Sequence, residues 1–367
     1  MRICHVIESA SGGSAAIMAS LALHGVARGH DVHVVYSPDR ADSGLIDSLI
    51  RGGCASVRPS PMRRSIGPHD LVDGLALRRT IGAIGKVDVL HSHSSKAGAL
   101  VRTACRFKGT AQIYSPHGFY TMTGDAPFFV GPVERALSLL TDRIIAVSEF
   151  EKAHALQIGI GSGRVNVVLN GVSPFIPLDR EAARRELGLD QAAFVIGFVG
   201  RLAAQKDPLA AVETMAALPP EMPGTLVLIG DGDLKSDAQR RAAHLGDRVL
   251  FAGSRDAKTL MRAFDCLLCT SGYEGMPVSF LEALSCGVPI VTYPVGGSAE
   301  LVRDKGTGFV TAASPDAAAR AIERLATMPP TESQAMSDAC KALAAMHSNV
   351  AMGDAMLKIY EDVLAGR

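Results

Sequence analysis

Thr270-Ser271-Gly272-Tyr273-Glu274-Gly275-Met276-Pro277-Val278-Ser279-Phe280-Leu281-Glu282-Ala283-Leu284-Ser285-Cys286-Gly287-Val288-Pro289 is the stretch on which the reading of this chain turns. It follows the short apolar run Cys266–Cys269, which reads as a buried strand, and it passes into a short helix starting near Met276. A helix that opens directly after a strand presents unpaired amide donors and the positive end of its dipole, which together favour an anion. The loop is therefore a phosphate cradle with a carboxylate, Glu274, beside it. Glu282 lies two helical turns further on among Phe280, Leu281, Ala283 and Leu284. A carboxylate in such company is expected to face a polar ligand or a cation.

Outward from this segment, short apolar runs alternate with longer helical patterns, as in parallel sheets built from βαβ units. Strands are expected at Ile3–Ile7, Val32–Tyr36, Val87–His91, Gln112–Ser115, Ile144–Val147 and Val165–Leu169. A helix is expected over Ala15–Arg28, with Gly29 as its left-handed cap. The segment Ser173-Pro174-Phe175-Ile176-Pro177 has two prolines and neither period, and reads as a linker. Strands resume at Phe194–Val199, Thr225–Ile229, Val249–Phe251, Cys266–Cys269, Val288–Thr292 and Gly308–Val310, before a helical tail from Ala317. The expected fold class is α/β, with two Rossmann-like, doubly wound parallel-sheet domains at 1–172 and 178–348. A C-terminal helix, about 349–367, is expected to pack back on the first. Open parallel sheets place ligands at the carboxyl ends of their strands, so a cleft between the domains is the expected site.

Composition agrees with a globular two-domain chain: 367 residues, 47% hydrophobic and 20% charged. No run approaches a membrane span, and the first apolar run is too short for a signal peptide. Seven scattered cysteines suit a reducing compartment, so a cytoplasmic protein, at most peripheral to a membrane, is expected. Cys266 and Cys269 lie three apart in a strand and face opposite sides, which rules out a shared metal. Net charge is zero but uneven: residues 1–170 carry 18 Lys+Arg against 13 Asp+Glu. Within Arg51–Thr110 the count is 11 basic to 3 acidic, including Arg63-Arg64, Arg78-Arg79 and Arg102/Arg106/Lys108. This stretch suits an anionic lipid surface or a phosphorylated acceptor, and equally a solvated basic face. It has no interleaved aromatics, so nucleic acid is not an expected partner.

Other segments carry chemistry. Gly200-Arg201-Leu202-Ala203-Ala204-Gln205-Lys206-Asp207-Pro208 follows the strand Phe194–Val199 and sets two cations in a loop that ends at a helix start, an anion site. Gly12-Gly13 opens the helix after the first strand, where backbone can approach a phosphate closely. Histidines end two strands, in His91-Ser92-His93-Ser94-Ser95-Lys96-Ala97-Gly98 and Pro116-His117-Gly118-Phe119. Of these, His91 reads as structural. Asp231-Gly232-Asp233 has a metal-pair spacing but sits in a glycine turn, so no metal ion is expected.

Glu274, Glu282 and the residues flanking them resemble the Glu-x7-Glu motif of glycosyltransferase family 4, retaining enzymes of the GT-B fold, and the resemblance extends over nearly all of the chain. It is identified with members that build bacterial surface polysaccharides through His91–Gly98 and Pro116–Phe119. The resemblance implies a sugar ligand at Glu274, a ribose ligand at Glu282, and a donor diphosphate neutralised by Arg201 and Lys206. It implies donor contacts from Gly13, Gly200, Gly275, Met276 and Val278, a base contact at Ser254, and His117 near the reacting end of the sugar. Pro277 stands where many members have glycine and removes one amide donor. His93 and Lys96 are the expected acceptor contacts. The implied chemistry is front-face substitution without metal or cofactor, from a UDP-sugar, or alternatively a GDP-sugar, to a lipid-linked glycan. Competing readings are a nucleotide-sugar 2-epimerase on the same fold, which the Glu274/Glu282 pair with Arg201/Lys206 opposes, and a non-catalytic sugar-nucleotide-binding protein. A nicotinamide dehydrogenase is disfavoured because Gly12-Gly13 lacks the full G-x-G-x-x-G fingerprint.

Overall fold

The computed structural model describes residues 1–124, 126–303 and 306–367. The chain divides into two compact units, Met1–Gly171 with Asn349–Arg367, and Val172–Ser348.

The first unit holds strands β1 (Arg2–Ile7), β2 (Asp31–Tyr36), β3 (Ser56–Pro59), β4 (Val89–His93), β5 (Ala111–Ser115), β6 (Arg143–Ala146) and β7 (Val165–Val167). They form one parallel sheet in the order β3-β2-β1-β4-β5-β6-β7. The second unit holds β8 (Phe194–Val199), β9 (Gly224–Ile229), β10 (Val249–Gly253), β11 (Cys266–Cys269), β12 (Ile290–Thr292) and β13 (Gly308–Val310). These are also parallel, in the order β10-β9-β8-β11-β12-β13. Both sheets reverse their winding beside the first strand of the unit, as doubly wound sheets do.

Three departures from the sequence reading have local causes. β3, Ser-Val-Arg-Pro, has one apolar residue and a proline, and therefore carries no strand signal; it is tolerated because it is an edge strand. β4 begins at Val89 and runs to His93, two residues later than Val87–His91, because its ladders with β1 and β5 both start at Val89. That register draws His91 and His93 inside the sheet. The helix expected near Met276 starts at Val278, since Pro277 takes φ −64°, ψ 125° and cannot yet be helical.

The helix Gly12–Ala27 packs on the last helix, Asn349–Ala365, within the first unit. Asp354 meets Arg28 at 2.6 Å and His24 at 2.8 Å, and Asn349 donates to Ser20 Oγ at 2.9 Å. All seven cysteines are free thiols, and Cys266 and Cys269 are buried in β11. Among the described residues, no helix is long and apolar enough to cross a membrane.

Candidate functional site

β8 and β11 are parallel neighbours, so the loops that follow them leave from the same end of the sheet. Four hydrogen bonds tie these loops together. Gly272 N–H donates to the Gln205 carbonyl (2.9 Å), and Gln205 Nε2 to the Tyr273 carbonyl (3.2 Å). Thr270 Oγ1 donates to the carbonyls of Lys206 (3.1 Å) and Asp207 (2.7 Å). Asp207, in the left-handed region at φ 46°, then caps the helix Pro208–Ala217 by accepting from Ala210 N–H at 3.0 Å.

This arrangement brings Lys206 Nζ to 2.7 Å from Glu274 Oε1. Burial alone would lower the pKa of Lys206, but the adjacent Glu274 carboxylate outweighs it and holds the ammonium above the usual lysine value. Arg201 is exposed and makes no ion pair among the described residues. The loop thus offers one cation fixed by a carboxylate and one left for an anion. Gly275 and Met276 are buried in the same loop, and Val278 opens the helix behind it. Gly296, after β12, presses on this loop so closely that a Cβ there would collide with the carbonyl oxygens of Glu274 and Gly275. The sequence reading passed over Gly296-Gly297, although the signal, paired glycines after a strand, is the one that drew attention to Gly12-Gly13.

Glu282 is buried in the helix Val278–Ser285 with Lys258 Nζ 3.6 Å away. Burial raises its pKa and Lys258 works against the rise. Lys258 belongs to the short helix Ala257–Leu260, just past β10, so Glu282 faces the segment that contains exposed Ser254. Asp231 is engaged by Lys235 at 2.9 Å, which with the Gly232 amide lowers its pKa.

In the first unit, Gly12 and Gly13 are exposed at the start of a 16-residue helix, and Ser11 makes no side-chain cap there. His117 sits just beyond β5 with φ 54°, its Nε2 2.9 Å from His93 Nδ1. His93 is fully buried, and its other nitrogen lies 3.0 Å from His5 Nδ1. Lys96 donates to the Ser65 carbonyl (2.6 Å) and pairs with Asp70. The structure thus gives both expected acceptor residues, His93 and Lys96, partners within the protein. Gly98 lies against the Tyr114 ring, where a Cβ would collide, and Arg102, one helical turn on, sets its guanidinium 4.0 Å from the same ring's centroid.

His5, His91 and His93 each place a ring nitrogen within 4.8 Å of the others. His91 is held by the Tyr360 hydroxyl (2.5 Å) and Ser115 Oγ (2.8 Å), while His5 and His93 bond each other. Burial drives His5 down to about 3 and His91 and His93 well below the usual histidine value, so all three rings are neutral. Glu151 was not anticipated. Wholly buried, it accepts from Gly118 N–H (2.5 Å) and Val147 N–H (2.7 Å), anchoring the turn that carries His117. Burial pushes it up to about 7 against the pull of those two amides.

The basic stretch is only partly superficial. Arg102 is buried against Glu134 (2.9 Å), Arg63 meets Asp73 (2.8 Å), and Arg106 donates to the Leu140 carbonyl (2.7 Å). Arg102, spaced like a surface partner of Arg106, is a core residue because its charge is met from the neighbouring helix Val130–Ser138.

Residues 11–174 match the family described as Glycosyltransferase Family 4, and residues 179–342 the family described as Glycosyl transferases group 1. The chain is 31% identical over 241 residues to an Escherichia coli protein, UDP-Gal:alpha-D-GlcNAc-diphosphoundecaprenol alpha-1,3-galactosyltransferase, a match covering 61% of this chain and 62% of that one. It is 29% identical over 284 residues to the putative glycosyltransferase EpsD of Bacillus subtilis, covering 72% and 74%. The Anabaena protein Alr3699/HepE, crystallised with UDP and glucose, superposes with a TM-score of 0.85 at 21% identity, over 98% of this chain and 99% of that one.

Proposed function

This chain belongs to the GT-B glycosyltransferases related to Glycosyltransferase Family 4 and Glycosyl transferases group 1, and we propose that it is a retaining, metal-independent hexosyltransferase using a UDP-sugar. The observation that carries this reading is the Lys206–Glu274 ion pair, held by two tied loops, with Arg201 exposed on the same loop as Lys206. Arg201 and Lys206 receive the diphosphate and the charge that develops on it as the sugar leaves, the task a divalent ion performs elsewhere. Glu274 accepts from sugar hydroxyls, Glu282 from the ribose, and Ser254 meets the base. In the front-face reaction the bond from the anomeric carbon to the phosphate oxygen breaks while the acceptor oxygen bonds on the same face. The acceptor proton passes to the leaving phosphate.

The acceptor in this reading is a lipid-linked glycan in surface-polysaccharide assembly, met at the cytoplasmic face of a membrane. The matched Escherichia coli enzyme is named for a diphosphoundecaprenol acceptor. Here, the helix His69–Gly82 exposes Leu71, Val72 and Leu75, with Ile66 exposed in the loop before it and Arg64 and Arg79 close in sequence. Apolar side chains rimmed by cations suit an anionic lipid surface.

A panel of UDP- and GDP-sugars, assayed for hydrolysis and for transfer to a diphosphate-lipid acceptor with EDTA present, tests the proposal. We expect UDP-sugar turnover that survives the chelator and an axial or equatorial anomeric linkage the same as the donor's, read by NMR. Loss of activity restored by Mg²⁺ or Mn²⁺ would overturn metal independence, and an inverted linkage would overturn retention.

A further inference from the structure

Three imidazoles of the first unit form one hydrogen-bonded chain: His5 Nδ1 to His93 Nε2 at 3.0 Å, and His93 Nδ1 to His117 Nε2 at 2.9 Å. It is built by register. β1 and β4 pair Ile7 with His93 and His5 with His91, while β4 and β5 pair His93 with Ser115, two residues before His117. The rings of His93 and His117 stack with centroids 5.3 Å apart and planes 16° from parallel. His91, although its ring lies 4.0 Å from that of His93, stands outside the chain because Tyr360 and Ser115 occupy both its nitrogens.

A neutral imidazole has one N–H donor and one bare nitrogen. Each contact in the chain needs one of each, and only two proton assignments satisfy both contacts. In the first, every ring is protonated on Nδ1: His5 donates to His93, His93 donates to His117, and His117 Nδ1 carries a proton. In the second, every ring is protonated on Nε2: His117 donates to His93, His93 donates to His5, and His117 Nδ1 is a bare acceptor. A mixed assignment sets two lone pairs or two protons against each other in a buried place, where an unmade hydrogen bond is costly. A protonated ring is excluded as well, since burial lowers the pKa of all three.

His117 Nδ1 has no hydrogen-bond partner among the described residues, and the residue is half-buried rather than sealed in the core. It is the ring nitrogen left for a ligand. Its direction is fixed from the backbone side by the left-handed φ of His117 and by the Gly118 amide held on Glu151.

We propose that His93 and, through it, His5 are positioning residues that lock the ring proton of His117, so that three tautomers change together or not at all. His117 therefore meets a sugar hydroxyl either as a full donor or as a full acceptor, never as the mixture a free histidine presents and never as a cation. The role assigned to the ligand rests on the reading above, in which His117 touches the donor sugar; the chain itself does not.

The test is a two-bond ¹H–¹⁵N spectrum of the protein labelled at its histidines, which separates Nδ1–H, Nε2–H and imidazolium forms. We expect His5, His93 and His117 to share one tautomer, and a UDP-sugar to shift all three or none. In His93→Leu, His117 should average the two tautomers while staying neutral, because burial and not His93 lowers its pKa, with kcat down about tenfold and donor KM changed less. His93→Asn, which keeps a polar amide near the Nδ1 position, should restore a single tautomer and most of kcat. A wild-type spectrum in which the three rings hold different tautomers, or a His117 signal indifferent to His93→Leu, overturns the chain. A released His117 tautomer with unchanged kcat and KM leaves the chain standing and overturns the sugar contact at His117, and with it the positioning role.

Discussion

The two sheets end in opposite electrostatics. At the carboxyl ends of β8 and β11 the second unit gathers full charges, Lys206 on Glu274 and an exposed Arg201 that makes no ion pair among the described residues. At and near the carboxyl ends of β1, β4 and β5 the first unit gathers imidazoles that burial keeps neutral and that bond to one another. One architecture thus carries full charges at the strand ends of one unit and neutral, hydrogen-bonded rings at those of the other. Position at a strand end makes a site available, and what surrounds the side chain decides its chemistry.

The sharpest way to break this contrast is to remove charge from the second unit. Glu274→Ala should lower transfer by about 10²–10³-fold, the usual effect of deleting one transition-state contact. UDP affinity should hold or tighten, because the Lys206 ammonium loses its carboxylate partner and keeps its place beside Arg201. Initial rates and calorimetric titration with UDP check both halves. Intact transfer with lost UDP binding would reverse the roles assigned to Glu274 and Glu282.

The first unit should instead reveal itself through acid. Histidines with depressed pKa values contribute stability that is fully present above the unfolded value near 6.5 and is lost as pH falls toward the folded values, about 3 for His5. At about 1.4 kcal/mol per proton and pH unit, the buried trio should cost a few kcal/mol between about pH 6.5 and 5. Glu151 acts in the other direction. Its folded value of about 7 lies above the ordinary 4.5, so its share of stability is present below 4.5 and declines as pH rises through 7. Hydrogen exchange at pH 7 and pH 5 should therefore show β1 and β4 losing protection while β8 and β11 keep theirs. Equal losses in the two sheets would mean that the imidazoles are not a buried neutral group.

The same contrast explains what the sequence could and could not disclose. Glu274, Glu282, Arg201 and Lys206 lie on two short contiguous segments, each following a strand with a clear apolar signal, so order along the chain was enough to nominate them. The histidine chain depends on register among three strands, with His5 and His93 separated by 88 positions. A strand drawn over Val87–His91 left His93 and Lys96 beyond its end as ligand contacts, whereas the true ladder runs to His93 and closes over it. Arg102 carried no local sign of burial, because Glu134 and Tyr114 reach it from elsewhere in the chain. Both parallel sheets were legible from apolar runs, and β3 was not, for want of any run at all.

A smaller effect separates the two glutamates of the second unit. Glu282→Ala should weaken UDP binding about tenfold, the worth of one hydrogen bond to a buried carboxylate, and kcat at saturating donor should change little. The carboxylate is buried beside Lys258, so Glu282→Gln, which keeps the shape and an acceptor, should fall between the two. Titration calorimetry across the three proteins measures this. An Ala variant with wild-type UDP affinity would remove Glu282 from the nucleotide site.

The smallest effect should come from the surface of the first unit, which the contrast leaves uncommitted. With Arg102 buried on Glu134 and Arg63 paired with Asp73, the cations left to meet lipid include Arg64 and Arg79, both exposed. A cation near an anionic surface contributes about 1 kcal/mol, so removing either should weaken partitioning about fivefold at low salt and have almost no effect at high salt. The apolar side chains obey a different rule: Leu71 is 77% exposed and Leu75 56%, and their burial in lipid is insensitive to salt. Cosedimentation with phosphatidylglycerol vesicles should therefore separate Arg64→Ser and Arg79→Ser, whose deficits vanish in salt, from Leu71→Ser and Leu75→Ser, whose deficits persist. If all four variants bind as the wild type does, or if the wild type does not bind at low salt, the stretch is a solvated face and the acceptor reaches the enzyme by some other surface.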